Sequence, residues 1–354
     1  MKSIKVVLLV PVVVLVSVVA AAQISSGSGH LQPTERNGRV ILRGNVHPLA
    51  RAEFDHGLAP DNLPQRRMLL LLRRSDAQES ALERLLEEQG TKSSPNYQQW
   101  ITPEEFASRF GSSDADIQNV SNWLTANGFA IDRIAAGRNV IEFSGTAGQV
   151  RNAFHTEIHS FLANGKEHWA NATDPEIPAA LASTIGGVVS LNDFPRPPLS
   201  HELGLVQRSP LTGEWQPAFT FTPSGRGTLF GIGPADFATI YNVQPLWDSG
   251  IDGTGQTIAI VAESNINPND VQSFRSLFGL PVNQPQIILN GPDPGLVRGG
   301  AETEAVADVE WSGAVARGAT IDLVVSSSTE TTSGVDLSAL YIVQNNLAPV
   351  LSMS

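Results

Sequence analysis

From Thr257 to Met353 the chain repeats one pattern, an apolar run followed by a helical segment and then another apolar run. The runs are Thr257–Ala262, Gln286–Leu289, Thr320–Val325 and Pro349–Met353. They lack the apolar/polar alternation of a strand with one wet face, so each reads as a strand covered on both sides. Helical segments lie between them at 269–278, 301–316 and 335–345. Fully apolar strands alternating with helices predict a parallel sheet in an α/β domain spanning 233–354. The sequence stops at Ser354 in the middle of such a strand, so this domain is expected to be incomplete here.

The earlier part of the chain has a different grammar. Met68 to Leu72 is a buried strand ended by Arg73-Arg74. A helix capped by Asp76 runs through Gln89, with Leu82, Leu85 and Leu86 inward. Thr102-Pro103-Glu104-Glu105 is a helix start, with proline in the first helical position and acids in the first turn. Ile117, Val120, Trp123 and Leu124 mark a third helix. Two hairpins follow, one of them turning at Asn164-Gly165, a strong two-residue turn signal. A short helix from Gln149 to Phe154 separates them, and Ile185 to Leu191 is a last strand. This order predicts an α+β domain over 65–195, with helices against an antiparallel sheet. Residues 23–64 read as irregular. Residues 196–232, rich in Pro, Gly, Ser and Thr, read as a linker open to proteolysis.

Composition removes several functions. The formal charge is −12, which argues against nucleic acid as a partner. There is no cysteine, hence no disulfide, thiolate metal site or cysteine nucleophile. Lys2 and Lys5, an apolar run from Val6 to Val19 and Ala20-Ala21-Ala22 form the three parts of a secretory signal over 1–22. The run is short for a membrane span. An extracellular protein with no membrane attachment after signal cleavage is therefore expected.

The chemistry centres on the helix 301–316, read as amphipathic. It sets Glu304 and Asp308 four residues apart, with about 5–6 Å between their Cβ atoms on one face. The spacing alone is weak, because acids near a helix N-terminus simply suit the dipole. The rest of the helix is apolar and small, and carboxylates on a buried helix need a reason. No histidine follows His201, so a hydrolase built on this region has carboxylates as its bases. Other candidates are weaker. His155-Thr156-Glu157-Ile158-His159 has the wrong spacing for a helical zinc motif and lies on a strand. Trp311 reads as core.

Several stretches together resemble the sedolisins, the serine-carboxyl peptidases with a subtilisin-like fold. They are 234–241 (PADFATIY), 253–261 (GTGQTIAIV), 304–319 and 350–354 (VLSMS). Residues 94–106 and 128–154 resemble the pro-kumamolisin-type activation domain of the same family. The resemblance implies a ferredoxin-like α+β activation domain followed by part of a subtilisin-like α/β domain. It implies that Glu304 is the general base and Asp308 the acid supporting it, and it matches Ser354 to the start of the substrate-binding strand edge. At pH about 4 an imidazole with pKa about 6.5 is protonated, while a glutamate near 4.3 is still partly ionised, so a carboxylate base suits acid.

The family's nucleophilic serine in a Gly-Thr-Ser segment and its oxyanion aspartate in a Gly-Asp segment are absent. So are the ligands of the calcium ion expected in the complete fold. Ala262, followed by Glu263, stands where some members carry a further glutamate. The leading expectation is the secreted proenzyme of an acid-acting endopeptidase. Its partners would be protein or peptide substrates and its own activation domain, and the chain as given would be inactive. The alternatives are a non-catalytic inhibitor or folding chaperone, or a subtilisin-like binding module.

Overall fold

The computed structural model describes residues 35–36, 38–196, 206–208, 215–217, 220–221 and 229–354. The predicted signal segment and most of the Pro-rich linker lie outside the described residues. Two compact units form. One comprises Leu31–Pro195 with Ser328–Asn346, and the other includes Arg196–Ser327 and Leu347–Ser354.

The first unit contains β1 (Glu35–Arg36), β2 (Arg39–Ile41), β3 (Asp55–Leu58) and β4 (Pro64–Leu72). Helices α1 (Asp76–Gly90), α2 (Pro103–Phe110) and α3 (Asp114–Ala126) follow. Next come β5 (Ala130–Ile134), β6 (Val140–Thr146) and α4 (Ala147–Phe154). The unit continues with β7 (Ile158–Ala163), β8 (Lys166–Asn171), β9 (Glu176–Pro178) and β10 (Ile185–Val188). The strands make three antiparallel sheets, ordered β10-β4-β6-β5, β1-β2-β9 and β3-β7-β8.

The α+β mixture is as expected, but the single antiparallel sheet is divided into three. Residues 23–64 are also not irregular throughout. Between 35 and 58 they supply β1, β2 and β3, which pair with one another and with β9 and β7. These strands are short and polar, and their order comes from the partner edges rather than from their own alternation.

Local signals behave as the residue chemistry requires. Ser75, not Asp76, caps α1. Its hydroxyl accepts from the Gln78 backbone and the Gln78 side chain accepts from the Ser75 backbone N–H. Thr102 with Glu105 and Thr146 with Gln149 form the same reciprocal box. Asn164 and Gly165 both take positive φ, 53° and 74°, as the tight β7–β8 hairpin demands.

The apolar run of β4 has two apolar faces to fill. Met68, Leu70 and Leu72 enter the main core with Val120, Leu124, Phe143 and Phe154. Leu69 lies on the other face with Ala135, Val140 and Leu337. Leu337 sits on a helix, Gly334–Gln344, from the segment that sequence patterning assigns to the α/β domain. A bulge between Gln65 and Met68 turns backbone carbonyls out of the ladder. Thr329 and Thr331 donate hydroxyls to the Arg66 carbonyl, and Thr332 donates to that of Arg67. The Arg66 guanidinium pairs with Glu330.

A second, smaller cluster forms around Phe161 and Phe194. Phe194 is buried between the rings of His47, 4.2 Å away, and His168, 4.6 Å away. His168 Nδ1 lies 3.3 Å from Asp193, which also accepts the Trp169 backbone N–H at 2.8 Å.

In the second unit, β11 (Val206–Arg208) pairs with β12 (Trp215–Pro217), and β13 (Thr220–Phe221) with β14 (Leu229–Phe230). These pairings fall inside the region read as an extended linker. Helices α5 (Pro234–Ile240) and α6 (Gln244–Asp248) lead to β15 (Thr257–Ala262). Then come α7 (Pro268–Leu277), β16 (Gln286–Leu289), α8 (Ala301–Val315), β17 (Thr320–Val325) and β18 (Val350–Ser352). The sheet is parallel, with order β16-β17-β15-β18. Ile260, Ala262, Ile321, Leu323 and Val325 share one core with Val271 of α7 and with Ala305, Val306 and Val309 of α8. Gly253 (φ 90°) turns the chain into β15, and a Cβ there would stand 3.0 Å from Ala316. Among the described residues, no helix is long and apolar enough to cross a membrane.

The histidine cluster yields a pH prediction. Burial first, and then the charge of His168, hold the His47 imidazole below its ordinary value. The unfolded chain therefore takes up this proton first as pH falls through about 6.5. Stability is lost from there down to the folded-state value. Asp193 has the opposite sign. Burial raises its carboxyl above the usual range, so its protonation at lower pH favours the folded state. The calorimetric midpoint of the first unit is expected to fall between pH 7 and 5.5, and His47→Gln should flatten that slope. An unchanged slope in the variant would remove His47 as the cause.

Candidate active site on helix α8

Helix α8 begins where Gly300 adopts φ 109°, a conformation costly for any residue with a Cβ. The loop before it is held by its own polar groups. The Val297 N–H donates to Ser264 Oγ at 3.0 Å, and that of Gly295 donates to Asp293 at 2.8 Å. The Asn265 amide reaches the same Asp293. At the other end, the buried Arg275 guanidinium donates to the carbonyls of Gly313 (2.9 Å) and Pro281 (2.6 Å). Trp247 Nε1 donates to the Val315 carbonyl, and Arg317 stacks on the Trp247 ring. Exposed helix carbonyls are thus satisfied at the C-terminus, and these contacts fix the axial position and rotation of α8.

The helix is not amphipathic, contrary to the sequence reading. Ala305, Val306, Ala307, Val309 and Ala314 are buried, and so are Glu302 and Glu310, the latter with no exposed surface. Helix α8 packs against α5, α7, β15 and β17 together. A helix enclosed on several sides buries polar residues that the pattern would place in water. Trp311 is half-buried and packs against the Phe274 cluster, its ring centroid 5.8 Å from that of Phe237 and 6.2 Å from that of Phe274.

Glu304 and Asp308 lie one turn apart and are half-buried, less enclosed than their neighbours. Ser354 Oγ donates to Asp308 Oδ2 at 2.7 Å, a contact no sequence signal had indicated. Strand β18 pairs with β15, with Ser352 opposite Ile260. This register carries Ser354 level with Ala262, the last residue of β15, at the C-terminal end of the sheet, where it meets Asp308 of α8. The Asp308 carboxyl is pushed up to about 6. Burial is the largest cause, the Ser354 hydroxyl opposes it, and the charge of Glu304 adds to the rise. The arrangement therefore sets Glu304 next to a carboxyl group that is protonated in mild acid.

The remaining candidates separate. His155 faces Glu176 at 3.5 Å, whereas His159 lies 2.9 Å from Asp55. Among the described residues no group of three His, Cys, Asp or Glu side chains could hold a metal ion. The described residues thus offer no carboxylate cluster that fits calcium. Ala262 is buried at the end of β15.

Comparison with known proteins matches the α+β unit to a family model and much of the chain to several curated relatives. Residues 54–194 match the family described as Pro-kumamolisin, activation domain, beginning within the segment first read as irregular. The chain is 26% identical over 283 residues to sedolisin of Pseudomonas sp. (strain 101), covering 78% of this chain and 46% of that protein. It is 28% identical over 304 residues to kumamolisin of Bacillus sp. (strain MN-32), covering 84% and 51%. Xanthomonalisin of Xanthomonas sp. (strain T-22) is 29% identical over 230 residues, covering 64% and 26%. These likenesses support a sedolisin-family proenzyme, with the activation domain matched over residues 54–194. The chain spans about half the length, or less, of these curated relatives.

Two outcomes follow for the helix. Glu310→Ala should destabilise the second unit by roughly 2 kcal/mol or more, as removal of a fully buried side chain leaves a cavity. Glu304→Gln should cost less than about 1 kcal/mol in urea unfolding of the same chain. Equal effects would contradict the different burial of the two glutamates.

Asp308 binds its proton more tightly folded than unfolded, so the ionised group destabilises the fold above about pH 6. Asp308→Asn should therefore raise stability at pH 7, with the gain fading as the pH is lowered through about 6 toward 4. A variant less stable at both pH values would contradict the shift.

Proposed function

We propose that this chain is part of a secreted proenzyme whose mature form is an acid-acting serine-carboxyl endopeptidase. The observation carrying the reading is the Glu304/Asp308 pair on a helix locked at both ends, with the Asp308 carboxyl raised to about 6. Glu304 acts as general base. It accepts the proton of a serine hydroxyl as the oxygen attacks a peptide carbonyl, and it returns that proton to the leaving amine. Asp308, protonated in mild acid, leaves the pair with a single negative charge and orients the base as the third member of a triad does. A histidine base would be charged and idle under the same conditions. The resemblance places the nucleophile in a Gly-Thr-Ser segment, and this sequence contains none. Substrates would be proteins or peptides, and cleavage in 196–232 would release the activation unit.

A second reading draws on the separate hydrophobic core of the first unit. Such a unit is able to act as an inhibitor or folding chaperone for a relative. Finding the downstream reading frame closed before any Gly-Thr-Ser segment would favour this reading.

The kinetic test uses a version of the protein extended through a Gly-Thr-Ser segment. Glu304→Gln should lower kcat by about 10³-fold or more, and Asp308→Asn should lower kcat by about 10²-fold and shift the acid limb of the pH profile. Folding is checked by circular dichroism. Retention of parental kcat in folded Glu304→Gln would overturn the assignment.

A further inference from the structure

We infer that Ser354 is a positioning residue for the carboxylate pair, its hydroxyl fixing the Asp308 carboxylate beside Glu304. Three independent features bring it there. Strand β18 runs parallel to β15 in a register that pairs Ile260 with Ser352. Residue 354 therefore emerges at the C-terminal end of the sheet, the end at which open α/β sheets build their sites. Helix α8 packs on β15 and β17, and its fixed ends bring Asp308 to the same place. The Ser354 Oγ to Asp308 Oδ2 distance of 2.7 Å is that of a hydroxyl donating to a carboxylate.

The strand-edge role implied by the resemblance belongs to backbone groups. A strand presents its N–H and C=O groups along its edge, while its side chains project away from the sheet plane. Ser354 is thus free to offer its backbone outward and its hydroxyl to α8. The residue that begins the substrate edge would then also touch the acid that orients the base. Substrate seating and the geometry of the pair would be mechanically linked.

The chemistry follows from what each neighbour favours. Burial and the charge of Glu304 both favour protonated Asp308. A hydroxyl donor favours the ionised form, because the carboxylate is the better acceptor. Among the charged groups near this end of the sheet are Glu304 and Glu302 on α8 and Glu263 just after β15. Strand β18 brings no ionisable side chain, and in the 354-residue chain the α-carboxylate of Ser354 is a further ionisable group at this place. Ser354 therefore limits how far the Asp308 carboxyl rises.

This inference deepens the peptidase reading and takes its functional meaning from it, but its test needs no turnover. The full chain, labelled with ¹³C at aspartate side-chain carboxyls, is titrated by NMR, and the Asp308 signal is assigned by its loss in Asp308→Asn. Ser354→Ala should move the Asp308 midpoint upward by about half a pH unit or more. Ser354→Thr, which keeps a hydroxyl, should restore it, and Glu263→Gln serves as a control for a neighbouring carboxylate. Matched circular dichroism shows that the fold is kept. An Asp308 midpoint unchanged in folded Ser354→Ala would overturn the proposal, as would labelling of Ser354 by a serine-reactive phosphonate, which would make it a nucleophile. Loss of the peptidase reading through Glu304→Gln kinetics would leave the titration result standing, so the two failures are distinguishable.

Discussion

The candidate site depends on the enclosure of α8. A helix packed on several sides cannot rotate or slide without breaking contacts with α5, α7 and the sheet. The buried Arg275 guanidinium fixes its C-terminal carbonyls, and the glycine at position 300 fixes its start. Desolvation by the same packing raises the Asp308 carboxyl. Rigidity and altered proton affinity thus share one cause. A more exposed helix would have left the Asp308 carboxyl near its ordinary value and its side chain free to change rotamer.

A comparable economy appears in the first unit. The leucine run of β4 is too apolar for a strand with one wet face. Its second face is covered by Leu337 and Leu340 from the helix Gly334–Gln344. Beside it, the β4 bulge exposes carbonyls that threonine hydroxyls from 329–332 satisfy. Apolar burial supplies the free-energy gain, while the hydroxyls prevent the cost of unpaired carbonyls. A segment distant in sequence thereby becomes part of the core of this unit.

Much was legible from residues alone. Fully apolar strands between helices announced a parallel sheet, because only a doubly covered strand tolerates that composition. Thr102 with Glu105 and Asn164-Gly165 announced a helix start and a hairpin, because those side chains and backbone angles satisfy local groups irrespective of the rest of the fold. What failed was non-local. Strands β1 to β3 carry little pattern of their own. The burial of Glu302 and Glu310 depends on how many elements surround α8, which no helical period records.

The sequence by itself determined the element types, the four-residue spacing of Glu304 and Asp308 and the absence of any histidine in the α/β region. Those follow from local geometry and composition. Only the tertiary structure decided that α8 is enclosed, that Asp308 is raised to about 6 and that a serine 46 residues away in sequence donates to it. Proton affinity is set by desolvation and neighbouring charge, and both are properties of the packed neighbourhood rather than of the residue.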